Sequence, residues 1–504
     1  MVLDLHFSDA THVFEDLSGS VDAWCLDGFS PDRNPDLWTD ELFRAIAAHS
    51  HHDTTVSTFS AARTVRDGLT SHGFRVNKVP GFGGKRDRLE ATFPNQHRSN
   101  VWAPKAHTAA IDRIAIIGGG LSGAWTARAL ANRGLQVEVF EQQTLASGAS
   151  GNPQGITYAK LSIEATPNSL IQLQGLAHLT PWFQHFSENV WQQTGVLLLA
   201  QNDKERLHQD KLLGALPNHA SFLAPVSRTE ASGLAGQPLR TGGLHLIPGG
   251  WLNPKRCVET VLEHPLISVK PYHQIQSVID NDKSIQLKIS HSDQSVTNHD
   301  FDLIIWANAL EASRFIPMTI PLKPVRGQIT HIRNTVDIQM PICGDAYLAP
   351  SWNGVMTCGA TYTPNSDDLQ ACPTDDQLNI AAINNMMDRD RFTNDDILSH
   401  RVSIRTATPD YAPVIGQLAE PTIWSHLLDR LRLDASYQPQ MPLPFMRGQY
   451  VLGGLGSRGT LTAPIISEIL ASQILGEVLP VSETTRHALA PDRFFRRQLI
   501  RGLN

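Results

Sequence analysis

Apolar and polar positions along the chain switch between a period of two and a period near 3.6, and the switches mark out α/β structure. VDAWCLDGF (21–29) reads as a strand ending in an acid and a glycine. LWTDELFRAIAAHS (37–50) has helical periodicity, TTVSTFS (54–60) is a short β-branched strand, and AARTVRDGLTSHG (61–73) is a helix closed by Gly73. FRVNKV and DRLEATF follow as a closing pair of strands. This order predicts half of a doubly wound domain over residues 1–94. Residues 95–112 are polar and aperiodic and are expected to form a linker.

At Arg113 the pattern sharpens. RIAIIGGGLSGAWTARALANRGLQVEVFE contains a buried strand, a glycine turn, an amphipathic helix stopped at Gly134, and a second strand, which make one βαβ unit. Further on, IQLKIS and FDLIIWAN (301–308) read as strands. YVLGGLGSRG (450–459) is a strand running into a glycine turn, with a helix expected from about Ala463.

Composition narrows the class. The chain has 504 residues, 41% hydrophobic and 18% charged, with a formal net charge of −7, as expected of a soluble globular protein. That charge speaks against bulk electrostatic binding of nucleic acid and leaves room for local basic patches. Cys25, Cys257, Cys343, Cys358 and Cys372 are scattered and form no CxxC pair, so neither a disulfide framework nor a metal site is expected, and a reducing cytoplasm suits them. MVLDLHFSDATHVFEDL lacks the basic start of a signal peptide. No apolar run approaches the ~20 residues that cross a bilayer.

The strongest chemical signal is GxGxxG, supplied by Gly118, Gly120 and Gly123 between a buried strand and a helix. The first glycine allows the tight turn, the second lets a pyrophosphate approach the backbone, and the third lets the helix pack on the strand. With Leu121 and Ser122 they open a helix whose free N–H groups and dipole favour phosphate. Glu141 ends the second strand about twenty residues on, where an acid can bind ribose, and Gln142 follows it. GASGNPQG (148–155) brings Ala149, Ser150, Asn152 and Gly155 as small and amide groups suited to a close dinucleotide. GGLGSRGTLTAP (453–464) offers a second glycine turn before a helix through Gly456, Ser457, Gly459, Thr460 and Leu461. A cofactor held from both ends fits FAD.

IIGGGLSGAWTARAL, GASGNPQG, GGWLNP (249–254), PVRGQ (324–328), GATYTP (359–364) and GGLGSRG together resemble the D-amino-acid and glycine oxidase superfamily of flavoproteins. GASGNPQGITYAKLS and GGLGSRG are similar to the oxidoreductase domain of the bifunctional tRNA 5-methylaminomethyl-2-thiouridine biosynthesis family. DAWCLDGFSPDRNPDLW (22–38), STFSAARTVRDGL (57–69) and KVPGFGGKRDRLE (78–90) resemble the second half of that family's class I methyltransferase domain. The resemblance implies a Rossmann-type FAD-binding domain with an inserted mixed-sheet substrate domain over 113–504, preceded by a partial doubly wound methyltransferase domain. No glycine-rich turn precedes Asp27, so the S-adenosylmethionine cradle is expected to be missing, and methyl transfer to be lost or incomplete.

The family's substrate is a carboxymethylaminomethyl uridine at the tRNA wobble position, oxidised to an imine whose hydrolysis leaves aminomethyluridine and glyoxylate. By the same resemblance Arg405 in SIRTATPDYAPVIG is the substrate-binding arginine, Tyr347 helps hold the carboxylate, and Arg458 lies near the flavin. Asp27 would lie near the methyl-accepting amine or be a plain strand-end acid. Arg326 is expected to brace its turn and His245 to be structural. Phosphate contacts are expected from Lys85, Arg86 and Arg88 and from the terminal cluster of Arg486, Arg493, Arg496, Arg497 and Arg501, with Phe494 and Phe495 interleaved; solvated helix faces are the alternative. Three other readings stay open: an oxidase of free glycine or sarcosine, a tRNA methyltransferase whose first part lies upstream of this sequence, and a flavin-binding interaction protein.

Overall fold

A computed structural model describes residues 3–502 apart from 4, 7, 96–100, 105, 108, 217, 218 and 282. The chain divides into two compact units, and neither is continuous in sequence. One comprises Met1–Thr108, Thr422–Pro444 and Ser472–Ala488; the other comprises Ala109–Pro421, Phe445–Ala471 and Leu489–Asn504. No described helix is long and apolar enough to cross a membrane.

The first unit holds a four-stranded sheet in the order Val21–Cys25, Ser50–Thr58, Asp87–Thr92, Arg75–Pro80. The first two strands run parallel and the closing pair is antiparallel. The expected first helix begins later than its periodicity suggested. Thr39 accepts from Leu42 N at 3.2 Å and caps Asp40–Ala48, while Pro35–Trp38 forms a separate 3-10 turn. Trp38, Phe43, Ile46, Val56, Leu69 and Phe74 fill the core. Residues 95–112, expected as a linker, include Trp102, which is buried and donates from Nε1 to Gln438 Oε1 at 2.5 Å.

The second unit is built on a six-stranded sheet ordered Ile267–Pro271, Val137–Glu141, Ile114–Ile117, Leu303–Trp306, Phe445–Gly453, Val414–Ala419. Its first five strands are mutually parallel and the last is antiparallel. Ile114–Ile117 is exposed by at most 4% at any residue, which is why it reads as an unbroken apolar run. Chain order reverses direction across Ile114–Ile117 and Leu303–Trp306, so a ligand crevice opens at their carboxyl ends. The inserted substrate domain is a nine-stranded mixed sheet. Its centre pairs Lys323–Arg333 with both Val355–Gly359 and Ile397–Ala407.

Gly68 shows how tightly the first unit closes. A Cβ there would stand 2.2 Å from the ring of Phe43, itself only 2% exposed. Helix propensity alone would make Gly68→Ala stabilising by about 1 kcal/mol. Overpacking against a ring that cannot retreat should reverse the sign, with a net loss of roughly 2 kcal/mol. Thermal unfolding of the variant should show a lowered midpoint; a raised one would mean the two helices have slack.

Candidate active site

The GxGxxG turn is built around backbone contacts that exclude side chains. Gly118 has φ +115°, and a Cβ on it would lie 2.6 Å from Ala307 O at the end of the neighbouring strand. A Cβ on Gly123 would fall 1.9 Å from Gly118 O. These two glycines let the Leu121–Ala131 helix begin directly over the strand ends, with Gly120 as its cap. Ser150 Oγ accepts from Leu121 N at 3.1 Å, which ties the 148–155 segment to the helix start. Glu141 takes Gly119 N on Oε2 at 2.8 Å and Gln143 N on Oε1 at 2.9 Å. Each oxygen still has a lone pair for a ribose hydroxyl.

Around this turn lies a cavity of about 790 Å³, within the range of small-molecule and cofactor sites. Gly118, Gly120, Leu121, Ser122, Glu141, Gln142, Ala149, Ser150, Asn152 and Gly155 all line it. So do Gly456, Ser457, Gly459 and Thr460 from the opposite end of the chain. The C-terminal helix starts at Gly459, not near Ala463, so its N-terminus reaches the cavity. Two expected residues lie elsewhere. Gly123 sits under the turn, and Leu461 is fully buried in the apolar cluster with Ala159 and Leu176. Asn308 Oδ1 and Thr406 Oγ1 are buried, line the same cavity, and find no partner among the described residues. Orphaned polar atoms beside a glycine cradle and two helix starts fit a bound dinucleotide.

The substrate-domain wall brings Arg405 and Tyr347 to this cavity, and the second glycine turn brings Arg458. Arg405 stands opposite Val325 on paired strands, with its guanidinium over Gly327, where a Cβ would be 2.7 Å from Nη1. Burial lowers its pKa, Tyr347 and Tyr362 oppose that shift, and no carboxylate pairs with it among the described residues. Burial pushes the Tyr347 phenol well above its usual range although Arg405 pulls it down, so Tyr347 is a hydrogen-bond donor at neutral pH. Arg458 stacks 3.9 Å from the Tyr158 ring centroid. Cys343 lines the cavity with its thiol pushed up to about 12 by burial, which keeps it protonated and inert.

Sequence reasoning missed Arg401, Gln154, Tyr158 and Tyr362, all of which line the cavity. Arg401 donates to Ser147 O at 2.9 Å, Gly148 O at 2.7 Å and Asn152 Oδ1 at 2.9 Å, clamping the loop that faces the dinucleotide. It stands four residues before Arg405 on one strand, a spacing that puts both on one face and was readable in advance.

Residues 113–473 match the FAD dependent oxidoreductase family, and residues 1–94 match an S-adenosyl-L-methionine-dependent methyltransferase family. The chain is 35% identical over 517 residues to the tRNA 5-methylaminomethyl-2-thiouridine biosynthesis bifunctional protein MnmC of Ectopseudomonas mendocina, covering all of this chain and 78% of that protein. The corresponding protein of Chromobacterium violaceum is 36% identical, with 99% and 78% covered. The chain belongs to the MnmC family. Among solved structures, glycine oxidase from Geobacillus kaustophilus superposes with a TM-score of 0.58 at 18% identity, covering 73% of this chain and 95% of that one. L-proline dehydrogenase from P. horikoshii gives 0.59 at 19%, covering 78% and 99%. Both likenesses carry the fold of the oxidoreductase domain, which combines a dinucleotide sheet with an inserted mixed sheet.

The other expected site residues fall outside the cavity. Asp27 is exposed on the loop after Val21–Cys25, and Lys85 and Arg86 are exposed on the loop after Arg75–Pro80. Arg88 is paired with Glu90 at 2.6 Å. The terminal cluster is not an open basic face. Arg493 is 5% exposed and donates to Asp410, Leu489 O, Ala490 O and Ala412 O; Phe494 is buried beneath it. Arg486 is equally buried, on Glu483. Arg496 reaches Asp492 at 4.0 Å, and Arg497 is half exposed with one nitrogen 2.6 Å from Asp410. Asp410 holds Arg493 inward and takes one edge of Arg497, while Arg501 is exposed. Arg326 is buried on Asp375, and His245 sits on the strand Gly243–Leu246 away from the cavity.

Gly123→Ala should yield protein without flavin absorbance, because the helix cannot start over Gly118; normal flavin content would mean the turn adapts. Asp410 gives a pH prediction. Burial raises its carboxyl, but hydrogen bonds and charge from Arg493, with bonds from Arg497 and Thr408, outweigh it and hold it well below the usual carboxylate range. Its contribution is therefore complete above the unfolded pKa near 4 and fades as pH falls toward the folded value. The midpoint gap between wild type and Asp410→Asn should be widest at pH 7 and shrink toward pH 3.

Proposed function

We propose that the second unit oxidises the carboxymethylaminomethyl group of a tRNA wobble uridine, leaving an aminomethyl group and releasing glyoxylate. The observation that supports this most is Arg405: a guanidinium enclosed in the cavity wall, beside a protonated phenol, with no carboxylate to pair with among the described residues. An enclosed cation without a protein partner calls for an anionic ligand. The guanidinium fork takes the substrate carboxylate, and Tyr347 donates a further hydrogen bond to it. Together they fix the CH₂ between carboxylate and nitrogen against the crevice lined by Gly118, Gly456 and Gly459. Bound FAD supplies a two-electron acceptor there. Water then hydrolyses the substrate imine. Wall residues such as Tyr158 and Ile156 limit solvent access until that step.

Lys85 and Arg86 are free enough to meet tRNA phosphate, whereas Arg493 is not; Arg497 keeps an exposed edge. The methyltransferase family match of residues 1–94 makes S-adenosylmethionine the candidate donor for methylating the aminomethyl product, with Asp27 near the amine.

The deciding assay incubates flavin-loaded protein with tRNA carrying carboxymethylaminomethyluridine, with and without S-adenosylmethionine, and identifies the wobble nucleoside by mass spectrometry. Aminomethyluridine with glyoxylate is expected, and onward methylation would assign both steps to this chain. Turnover of glycine or sarcosine with untouched tRNA would move the protein to the small-molecule oxidases. Arg405→Lys should lower kcat/KM roughly a hundredfold, since an ammonium cannot make the bidentate pair. Flavin content should be unchanged; a small effect would place the carboxylate elsewhere.

A further inference from the structure

Tyr411 is a bulky residue in the left-handed backbone region, with φ +57°, and it is 64% exposed. For a tyrosine this conformation costs about 1–2 kcal/mol and persists only where its surroundings enforce it. The enforcement is visible. Tyr411 N donates to Thr408 O at 3.1 Å, and the Thr408 hydroxyl lies within donating distance of both Ala412 O, at 2.7 Å, and Asp410 Oδ1, at 3.0 Å. Buried Arg493 then ties Asp410 and Ala412 O together from below. A charge network beneath the turn thus holds an aromatic ring out in solvent, where it buries little apolar surface of its own.

The ring does have a neighbour. Its turn packs on the cavity edge, with the Thr408 methyl against cavity-lining Gly454, and its phenol is within electrostatic reach of Tyr362, which is 49% exposed and lines the cavity near Arg405. The two phenols therefore stand at the rim of the cavity on the Arg405 side. Resting on the function proposed above, we propose that the Tyr362–Tyr411 pair is a stacking platform for the pyrimidine base of the target nucleotide. The substrate geometry fits. From the carboxylate carbon to the ring carbon of the base, a carboxymethylaminomethyl arm spans about 5 Å when extended. With its carboxylate on Arg405, the arm leaves the base toward the cavity rim, where an exposed aromatic face would stabilise it whatever its hydrogen-bond pattern. Arg497, half exposed on the same Asp410, would offer its free edge to a flanking phosphate.

The test uses flavin-loaded full-length protein and carboxymethylaminomethyl-tRNA. Tyr411→Asn removes the ring while tolerating positive φ, and Tyr411→Phe keeps the ring and loses only the hydroxyl. The platform predicts that Tyr411→Asn raises KM for tRNA roughly ten- to a hundredfold, with kcat at saturation within about twofold, and that Tyr411→Phe stays close to wild type. Tyr362→Leu should raise KM likewise. An unchanged KM for Tyr411→Asn, or a fall in kcat at constant KM, would overturn the platform while leaving the oxidase intact. Wild-type protein that leaves the tRNA untouched would overturn the proposed function, and the platform with it.

Discussion

The close approach of two backbone strands at Gly118 is the constraint from which the rest of the oxidoreductase unit follows. Its missing Cβ leaves room for Ala307 O, and the missing Cβ of Gly123 leaves room for Gly118 O. Without both gaps the helix could not begin above the strand ends, and its free N–H groups would not face the crevice. Glu141 then has a fixed place, held by Gly119 N and Gln143 N. The 148–155 segment has one too, pinned by Ser150 on the helix start and by Arg401 from the facing sheet. One sterically enforced turn thus organises groups that are far apart in the chain.

The mixed sheet makes a different contribution: it supplies register. Pairing Ile397–Ala407 with Lys323–Arg333 sets Arg405 opposite Val325 and Arg401 opposite Ile329, so one strand both clamps the 148–152 loop and presents a cation to the cavity. Beneath it, Asp376 accepts from Gln328 and Thr330, and Asn379 donates to Gln328 O. These bonds tie the helix Pro373–Met386 to the sheet. Such a saturated polar layer resists slippage, since a shift of one residue would leave several buried groups unpaired. The backbone register that places Arg405 is thereby fixed.

Charge is distributed by the same logic. Asp410, which buried Arg493 and half-exposed Arg497 satisfy, supports the turn that displays Tyr411, while no carboxylate among the described residues pairs with Arg405. Arg493 and Arg497 support the Asp410 turn, and Arg405, with no ion pair among the described residues, lies on the cavity wall.

Much of this was legible in the residues alone. The four-residue run IAII, the glycine spacing, the acid at Glu141 and the second glycine turn each depend on neighbours in sequence, and local chemistry determines them. Arg405, Tyr347 and Arg458 were reachable through family motifs, and they do meet at one cavity. Tyr158 carries no local signal, because its place depends on pairing Gly155–Thr157 with Gly250–Leu252. Gly123 packs the helix on its strand as its place in the motif implied, whereas Leu461 turns into an apolar cluster, since a motif does not say which way each residue faces. The basic C-terminus was misread for the same reason. Composition counts charges, but only the tertiary structure shows that Asp410, some eighty residues earlier, draws Arg493 out of solvent. Sequence determined which backbone conformations were possible; long-range pairing decided which side chains were left over to do chemistry.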